Sequence, residues 1–568
     1  MMKFLSFIFL ILFFTAPVNA YENKLPLNDW AALPILHDGR IKPLDSFSST
    51  LLEQISGKSK INGMDNNQWL AKSIFMPEEA ILLEIFKIKN AENFNLEKRK
   101  LYNFTTVSQI INDNQETIDK LSLLSDDDLS IEQKNLLDLH MNYGVYNQLL
   151  RSMTAIIPLK VKDRKNPISY FDLTLENQNL PNKYLETKII RAAGSNNIYF
   201  KIIPQKNLAQ TYATIWQALL TESQLNNDSK EYISLWQNLA NSYRENNETL
   251  WVKTVQSLYD INQTPITKLE KIYNDLSLVF VAFLLFFTGL ACVAINEFRA
   301  RIALMRASTL ALTLGSIAIA ADVILRIIIS HRPPVGTLYE SILFVCVITA
   351  IGSTYFAIKK SDKVSLFIGS ISGTILLLTA NAFAGLDSFS PLVAVLNTDF
   401  WLSTHVIIIT AGYAFCILTA LYAHIIMWRQ DYNKKSAPYK NLNVLMILSL
   451  LFVTVGTVLG GLWADQSWGR FWGWDPKENG AMLIVLWIIW LLHGKITHDL
   501  PIKFYMAGVC FLSIIVALAW FGVNLLSVGL HSYGFISGIA TGLGLFCAAE
   551  MLIILYLTFI HRRANNES

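Results

Sequence analysis

Three tryptophans fall within seven residues in Trp468-Gly469-Arg470-Phe471-Trp472-Gly473-Trp474, with no aliphatic side chain among them. Such a run makes a poor packing core and a good flat-faced surface. Indole rings carry large apolar area at low conformational cost and stack on planar, conjugated ligands. The simpler alternative is an aromatic belt at a membrane boundary, but a belt scatters Trp and Tyr over many helix ends. The run continues into a helix start, with Asp475 as N-cap, Pro476 at the first helical position and Glu478 three residues after the cap. Two histidines flank it, His405 in Trp401-Leu402-Ser403-Thr404-His405 and His531 in Gly529-Leu530-His531-Ser532-Tyr533. Paired imidazoles with an aromatic surface are the parts of a haem site: axial nitrogen donors for iron and apolar walls for the macrocycle. On spacing alone a quinone or another flat cofactor fits equally well.

Membrane helices must position these residues. The chain has 568 residues, 52% of them hydrophobic and 16% charged, and a mean hydropathy of +0.35, too apolar for an ordinary soluble protein. Residues 21–272 read as a soluble domain rich in Asn, Lys, Glu and Asp. Beyond them come nine apolar runs long enough to span a bilayer, at 276–295, 307–330, 338–358, 364–384, 403–428, 443–462, 479–494, 503–523 and 535–560. The fold expected is an all-α polytopic membrane protein of about nine transmembrane helices. A signal peptide (1–20) and an exported, mainly helical domain (21–272) precede it. The transmembrane domain is 273–568, with the Trp-rich loop at 463–478 external. A net charge of +3 gives no case for nucleic acid as a partner.

Lys3 ahead of the apolar run Phe4 to Phe14, closed by Val18-Asn19-Ala20, has the form of a secretory signal. With the N-terminal domain outside, one set of loops between spans holds twelve basic residues, including Arg299, Arg301, Lys359, Lys434 and Lys435. The opposite set holds Arg332, Arg470 and Lys477. That asymmetry obeys the positive-inside rule and places the tryptophan loop outside and the C-terminus in the cytoplasm. In the exported domain, Gln68–Phe75, Glu79–Lys87, Ile131–Met153 and Tyr232–Tyr259 carry helical spacing, and Ile198–Ile203 suits a strand. No phosphate loop, catalytic triad or metal cluster occurs there, and His37 and His140 have no partner motif. The five cysteines all fall in apolar spans without a CxxC pair, so they read as packing residues.

Trp468-Gly-x-x-Trp472-x-Trp474-Asp475-Pro-Lys-Glu, with His405 upstream and Gly529-Leu-His531-Ser-Tyr-Gly downstream, closely resembles the haem-handling family of cytochrome c assembly proteins. The nearest branch is the CcsA/ResC type of the system II pathway. Leu338-Tyr339-Glu340 recurs in that branch, and the resemblance covers roughly residues 310–560. It implies a protein of the bacterial inner membrane that takes up haem b and presents it outside. There, as a subunit of a cytochrome c haem lyase (holocytochrome c synthase) complex, it promotes thioether bonding to the CxxCH cysteines of apocytochrome c. The family pattern makes His405 and His531 ligands of the iron, with Trp468, Trp472, Trp474 and Asp475 forming the loop that holds the haem edge. It also includes an inner histidine, matched by His493 in Trp490-Leu491-Leu492-His493. The second inner ligand comes, in that family, from a CcsB-like partner; His424 is the internal alternative. His331 competes with His405 as an external histidine. Arg326 needs an anion, either a haem propionate or a glutamate such as Glu340. Two other functions remain open from sequence: haem delivery to a separate chaperone, and a quinone- or ion-handling membrane protein.

Overall fold

The computed structural model describes residues 25–522 and 539–560, apart from 95, 98, 126–127, 159–166, 177–199, 206–210, 221–226, 263, 360–361, 385–388, 390 and 393–397. Residues 1–20, the expected signal peptide, and His531 lie outside the described residues. Two compact units divide after Asp275.

In the first unit a short helical turn, Leu27–Ala31, precedes an antiparallel hairpin, β1 (Pro34–His37) and β2 (Arg40–Pro43). Asp38 and Gly39 turn it with φ of 50° and 77°, the left-handed pair that a two-residue hairpin turn needs. Helices α1 (Leu44–Ser56), α2 (Asn66–Phe75), α3 (Ile131–Arg151), α4 (Asn227–Glu245), α5 (Glu248–Asn262) and α6 (Pro265–Leu276) follow. Trp30, Phe75, Trp236 and Trp251 are fully buried together at the centre. Glu270 on α6 accepts both terminal nitrogens of Arg40 at 2.8 and 3.0 Å and the Ser46 hydroxyl at 2.6 Å. Asp45 accepts from Asn67 and Asn274 at 2.7 and 2.9 Å, so side-chain bonds fasten α6 to the hairpin and α1.

The expectation of a mainly helical domain holds with two corrections. Glu79–Lys87 is not a helix: the turn Pro77–Ala80 gives way to the strand Glu84–Phe86, paired with Tyr102–Asn103. Tyr232–Tyr259 is two helices, because Asn246 turns left-handed (φ 53°) and the Asn247 side chain accepts from Leu250 N–H at the start of α5. The expected strand near Ile198–Ile203 lies slightly later, at Ile203–Gln205 against Thr211–Ala213.

In the second unit, nine helices among the described residues are long and apolar enough to cross a membrane. They are α7 (Leu278–Phe298), α8 (Ile302–Ser330), α9 (Leu338–Lys359), α10 (Lys363–Ala382), α11 (Ile407–Arg429), α12 (Ala437–Trp468), α13 (Pro476–Ile496), α14 (Ile502–Trp520) and α15 (Ile539–Leu555). Helix α11 is central and packs on α9, α10, α12 and α14. Apolar helices gain no hydrophobic drive from leaving lipid, so close backbone approach must hold them. Glycines supply it between α11 and α12. A Cβ on Gly412 would stand 2.7 Å from Val453 Cγ2, and one on Gly456 2.8 Å from Ile409 Cα. The sixth span is longer than 443–462 because α12 continues through the polar residues Asp465, Gln466 and Ser467 to Trp468. The loop proper is therefore Gly469–Asp475, and Trp463 and Trp468 are helical.

Candidate functional site

His405 sits in a π-helical turn, Leu402–Val406, that leads into α11. Such wide turns re-aim side chains and recur at functional sites. Its Nδ1 lies 2.8 Å from the Gly456 carbonyl oxygen on α12. A carbonyl only accepts, so Nδ1 carries the hydrogen, and in a neutral ring the lone pair is then at Nε2. That is the arrangement of a metal-ligating histidine, whose second nitrogen is oriented by a backbone or carboxylate acceptor. Trp463 meets the imidazole edge-on at 5.7 Å between centroids. Trp401 stacks nearly parallel on Trp463, at 6.3 Å and 10°, and donates from Nε1 to Gln466 Oε1 at 3.1 Å. Sequence reasoning missed Trp401, Trp463 and Gln466. The available signal was helical spacing: Trp401 stands four residues before His405 and Trp463 three after Gly460.

The tryptophan loop folds back on the same helix. Gly469 ends α12 in a left-handed conformation (φ 70°). Phe471 then covers Gly461, where a Cβ would stand 2.6 Å from its ring, while the neighbouring Gly460 seats the His405 ring. His405 and the loop thus share one stretch of α12. Trp472 and Trp474 meet edge to face at 6.2 Å and 88°, and Trp474 is exposed at φ 58°. Asp475 caps α13 as expected, accepting from Lys477 N–H at 2.8 Å, with Pro476 at the helix start. Glu478 completes the capping box and also fixes the loop, accepting from Gly473 N–H at 2.8 Å and Asp475 N–H at 3.1 Å.

At the other ends of the spans, His493 and His424 each carry a hydrogen on Nδ1 for the same reason. His493 Nδ1 lies 2.8 Å from Ile489 O, and His424 Nδ1 2.8 Å from Ala420 O, each one turn back along its helix. They differ at Nε2. In His424 that atom lies 3.1 Å from Glu550 Oε1, whereas His493 is exposed on α13. His331 is the exposed left-handed cap of α8. Arg326 finds its anion in Glu340 at 3.2 Å. Arg332 binds the same carboxylate through two nitrogens at 2.8 and 3.0 Å, and the Gly336 and Thr337 N–H groups complete it. Among the described residues no group of three His, Cys, Asp or Glu side chains forms a metal cluster.

Fold and site together describe a polytopic helical membrane protein with an oriented histidine beside a tryptophan-rich loop. A family model described as Cytochrome C assembly protein matches residues 335–531, the stretch from the Glu340 cluster through His405, the loop and His493 to His531. The cytochrome c biogenesis protein CcsA of Mesostigma viride is 32% identical over 248 residues, covering 36% of this chain and 78% of that protein. CcsA of Chlamydomonas reinhardtii is 32% identical over 227 residues, 36% of this chain and 61% of that protein. Protein NrfI of Wolinella succinogenes is 33% identical over 228 residues, 37% of this chain and 24% of that protein. This chain belongs to the cytochrome c assembly family. It spans less than two thirds of the Chlamydomonas and Wolinella relatives, and its first unit lies outside the matched region.

Proposed function

We propose that the protein carries haem b across a bacterial inner membrane and presents it at the outer face for attachment to apocytochrome c. It acts as a subunit of a cytochrome c synthase complex with a CcsB-like partner. In this reading residues 1–20 are a cleaved signal, the N-terminal domain and tryptophan loop are periplasmic, and the C-terminus is cytoplasmic. The observation that carries it is the bond from His405 Nδ1 to Gly456 O, which orients Nε2 for iron beside Trp463 and the loop.

The chain's residues would divide the work. His405 and His531 hold the iron of the substrate haem. The loop indoles cover the porphyrin edge and exclude water, and Asp475 and Glu478 hold the loop against α13. His493, exposed near the end of α13, receives haem on the cytoplasmic side, with the second ligand from the partner. The test is purification from native membranes and co-expression with a CxxCH protein. Bound haem with a bis-imidazole spectrum, and thioether-linked haem on the CxxCH protein, are expected. Absence of haem would sink the reading; bound haem without thioether formation would reduce it to haem delivery.

A further inference from the structure

Arg470 is the single cation of the tryptophan loop, Gly469–Asp475. Its guanidinium lies on Gly473, in the space that a Cβ on that residue would fill. Only a glycine leaves this seat open. The charge is therefore held against backbone that joins Trp472 to Trp474, the two indoles that meet edge to face. Among the described residues no carboxylate pairs with Arg470. Glu478 is bound to the same loop, but its Oε2 accepts from the Gly473 and Asp475 N–H groups. Two other cations occupy this end of the spans, and both differ. Arg332 is bound to Glu340 through two nitrogens. Lys477 lies in the first turn of α13 beside the Asp475 cap, and an ammonium is a point charge without a planar fork. Arg470 is thus a half-buried cation in a prepared seat, with its donors unused.

The outer haem site proposed above leaves two groups of its ligand without a partner. Neutral imidazoles hold the iron and indoles cover the ring, yet haem also carries two propionate carboxylates. A guanidinium fork matches a carboxylate with two parallel N–H···O bonds, the strongest charged pairing that side chains offer. Phospholipid phosphate is the competing anion at a span end. Any rim cation meets headgroups, however, without a glycine seat between two indoles. We propose that Arg470, seated on Gly473, binds a haem propionate; the assignment rests on that outer site. Its consequence is orientation. Axial ligands alone leave a macrocycle free to turn about the nitrogen–iron axis, and a clamped propionate stops that rotation. The vinyl groups stand on the opposite edge of protoporphyrin, so the clamp turns them away from the loop, toward an arriving CxxCH segment.

The full chain, purified in maltoside detergent without its presumed partner, is titrated with ferric haem and with haem dimethyl ester, followed by absorbance. Wild type should bind the acid about tenfold more tightly than the ester, equivalent to ~1.4 kcal/mol. Arg470→Gln should bind both alike, at the affinity of the ester, with the axial-ligand spectrum unchanged. Gly473→Ala, which keeps the arginine but fills its seat, should also lose the preference. An acid preference that survives in Arg470→Gln would overturn the proposal. So would an equal loss for acid and ester, which would make Arg470 a packing residue of the loop. Loss of the preference in Lys477→Gln alone would move the clamp to that lysine. A wild-type preference that vanishes on adding phosphatidylglycerol would assign Arg470 to a headgroup. Failure of wild type to bind either porphyrin would remove the outer site itself.

Discussion

Gly460 is side-chain-free where the imidazole of His405 rests: a Cβ there would stand 2.7 Å from its Cε1. The ring can therefore lie flat on α12 and reach the Gly456 carbonyl one turn away. Gly460→Ala should push the ring off that carbonyl while leaving the helix pair folded. The expected outcome is a roughly 10–100-fold loss of haem affinity, typical of losing an orienting partner, with an unchanged melting temperature in detergent. His405→Ala and His531→Ala should each alter the haem spectrum and abolish maturation, and added imidazole should partly restore it. Normal spectra in both histidine variants would move the ligand role to His331.

Glu478 ties the tryptophan loop to α13 through two loop N–H groups as well as the helix cap. Trp472→Ala or Trp474→Ala should weaken haem retention by roughly 1–3 kcal/mol, by analogy with base stacking on aromatics. Asp475→Ala removes a cap worth about 1 kcal/mol. Glu478→Ala should do both kinds of damage, loosening haem and lowering stability. Full haem content in the tryptophan variants, with only expression reduced, would return the loop to the role of a membrane belt.

Glu340 is buried between two arginines, with Arg326 also lying 4.3 Å over the Phe389 ring. Removing the carboxylate leaves two guanidinium groups without it in a span end. Glu340→Ala should destabilise the helical unit by about 3–5 kcal/mol, the usual cost of breaking a buried pair. Thermal unfolding of the purified protein measures this. A melting point unaffected by the change would mean that solvent reaches the cluster.

The alternation of spans carries the proposed orientation, which reporter fusions test. Fusions after Lys360 and after Ser390 should report opposite sides of the membrane. The same side for both would remove the proposed periplasmic placement of the tryptophan loop.

The spans were legible because each is a predominantly apolar stretch within a helix of at least 18 residues, a signal that needs no knowledge of neighbours. The cap at Asp475 was legible for the same reason, since Asp-Pro-x-Glu is complete within four residues. The Trp401–Trp463 stack was not, because its partners stand 62 residues apart on different helices and meet only in the folded chain. Glu79–Lys87 misled because its short apolar pattern suits helix or strand, and the pairing with Tyr102–Asn103 decides. The loop boundary at 463 misled because polar residues can extend a helix beyond its apolar run.

His493 and His424 separate the two ways of completing an inner haem site. Both rings are oriented by a carbonyl one turn back, yet Glu550 engages His424 while His493 stays exposed on α13. For His424 to bind iron, Nε2 would have to leave a carboxylate 3.1 Å away inside the membrane, where the abandoned charge has no water to solvate it. His493 has no such bond to break. Haem is made in the cytoplasm, so a carrier needs a site there, and bis-histidine ligation would leave no open position on the iron. The test compares His493→Ala with His424→Ala, each purified with and without the presumed CcsB-like partner. Loss of haem only in His493→Ala, and only with the partner present, is the expected result. Equal loss in both variants without any partner would show that this chain supplies both inner ligands, and that Glu550 releases His424 when haem arrives.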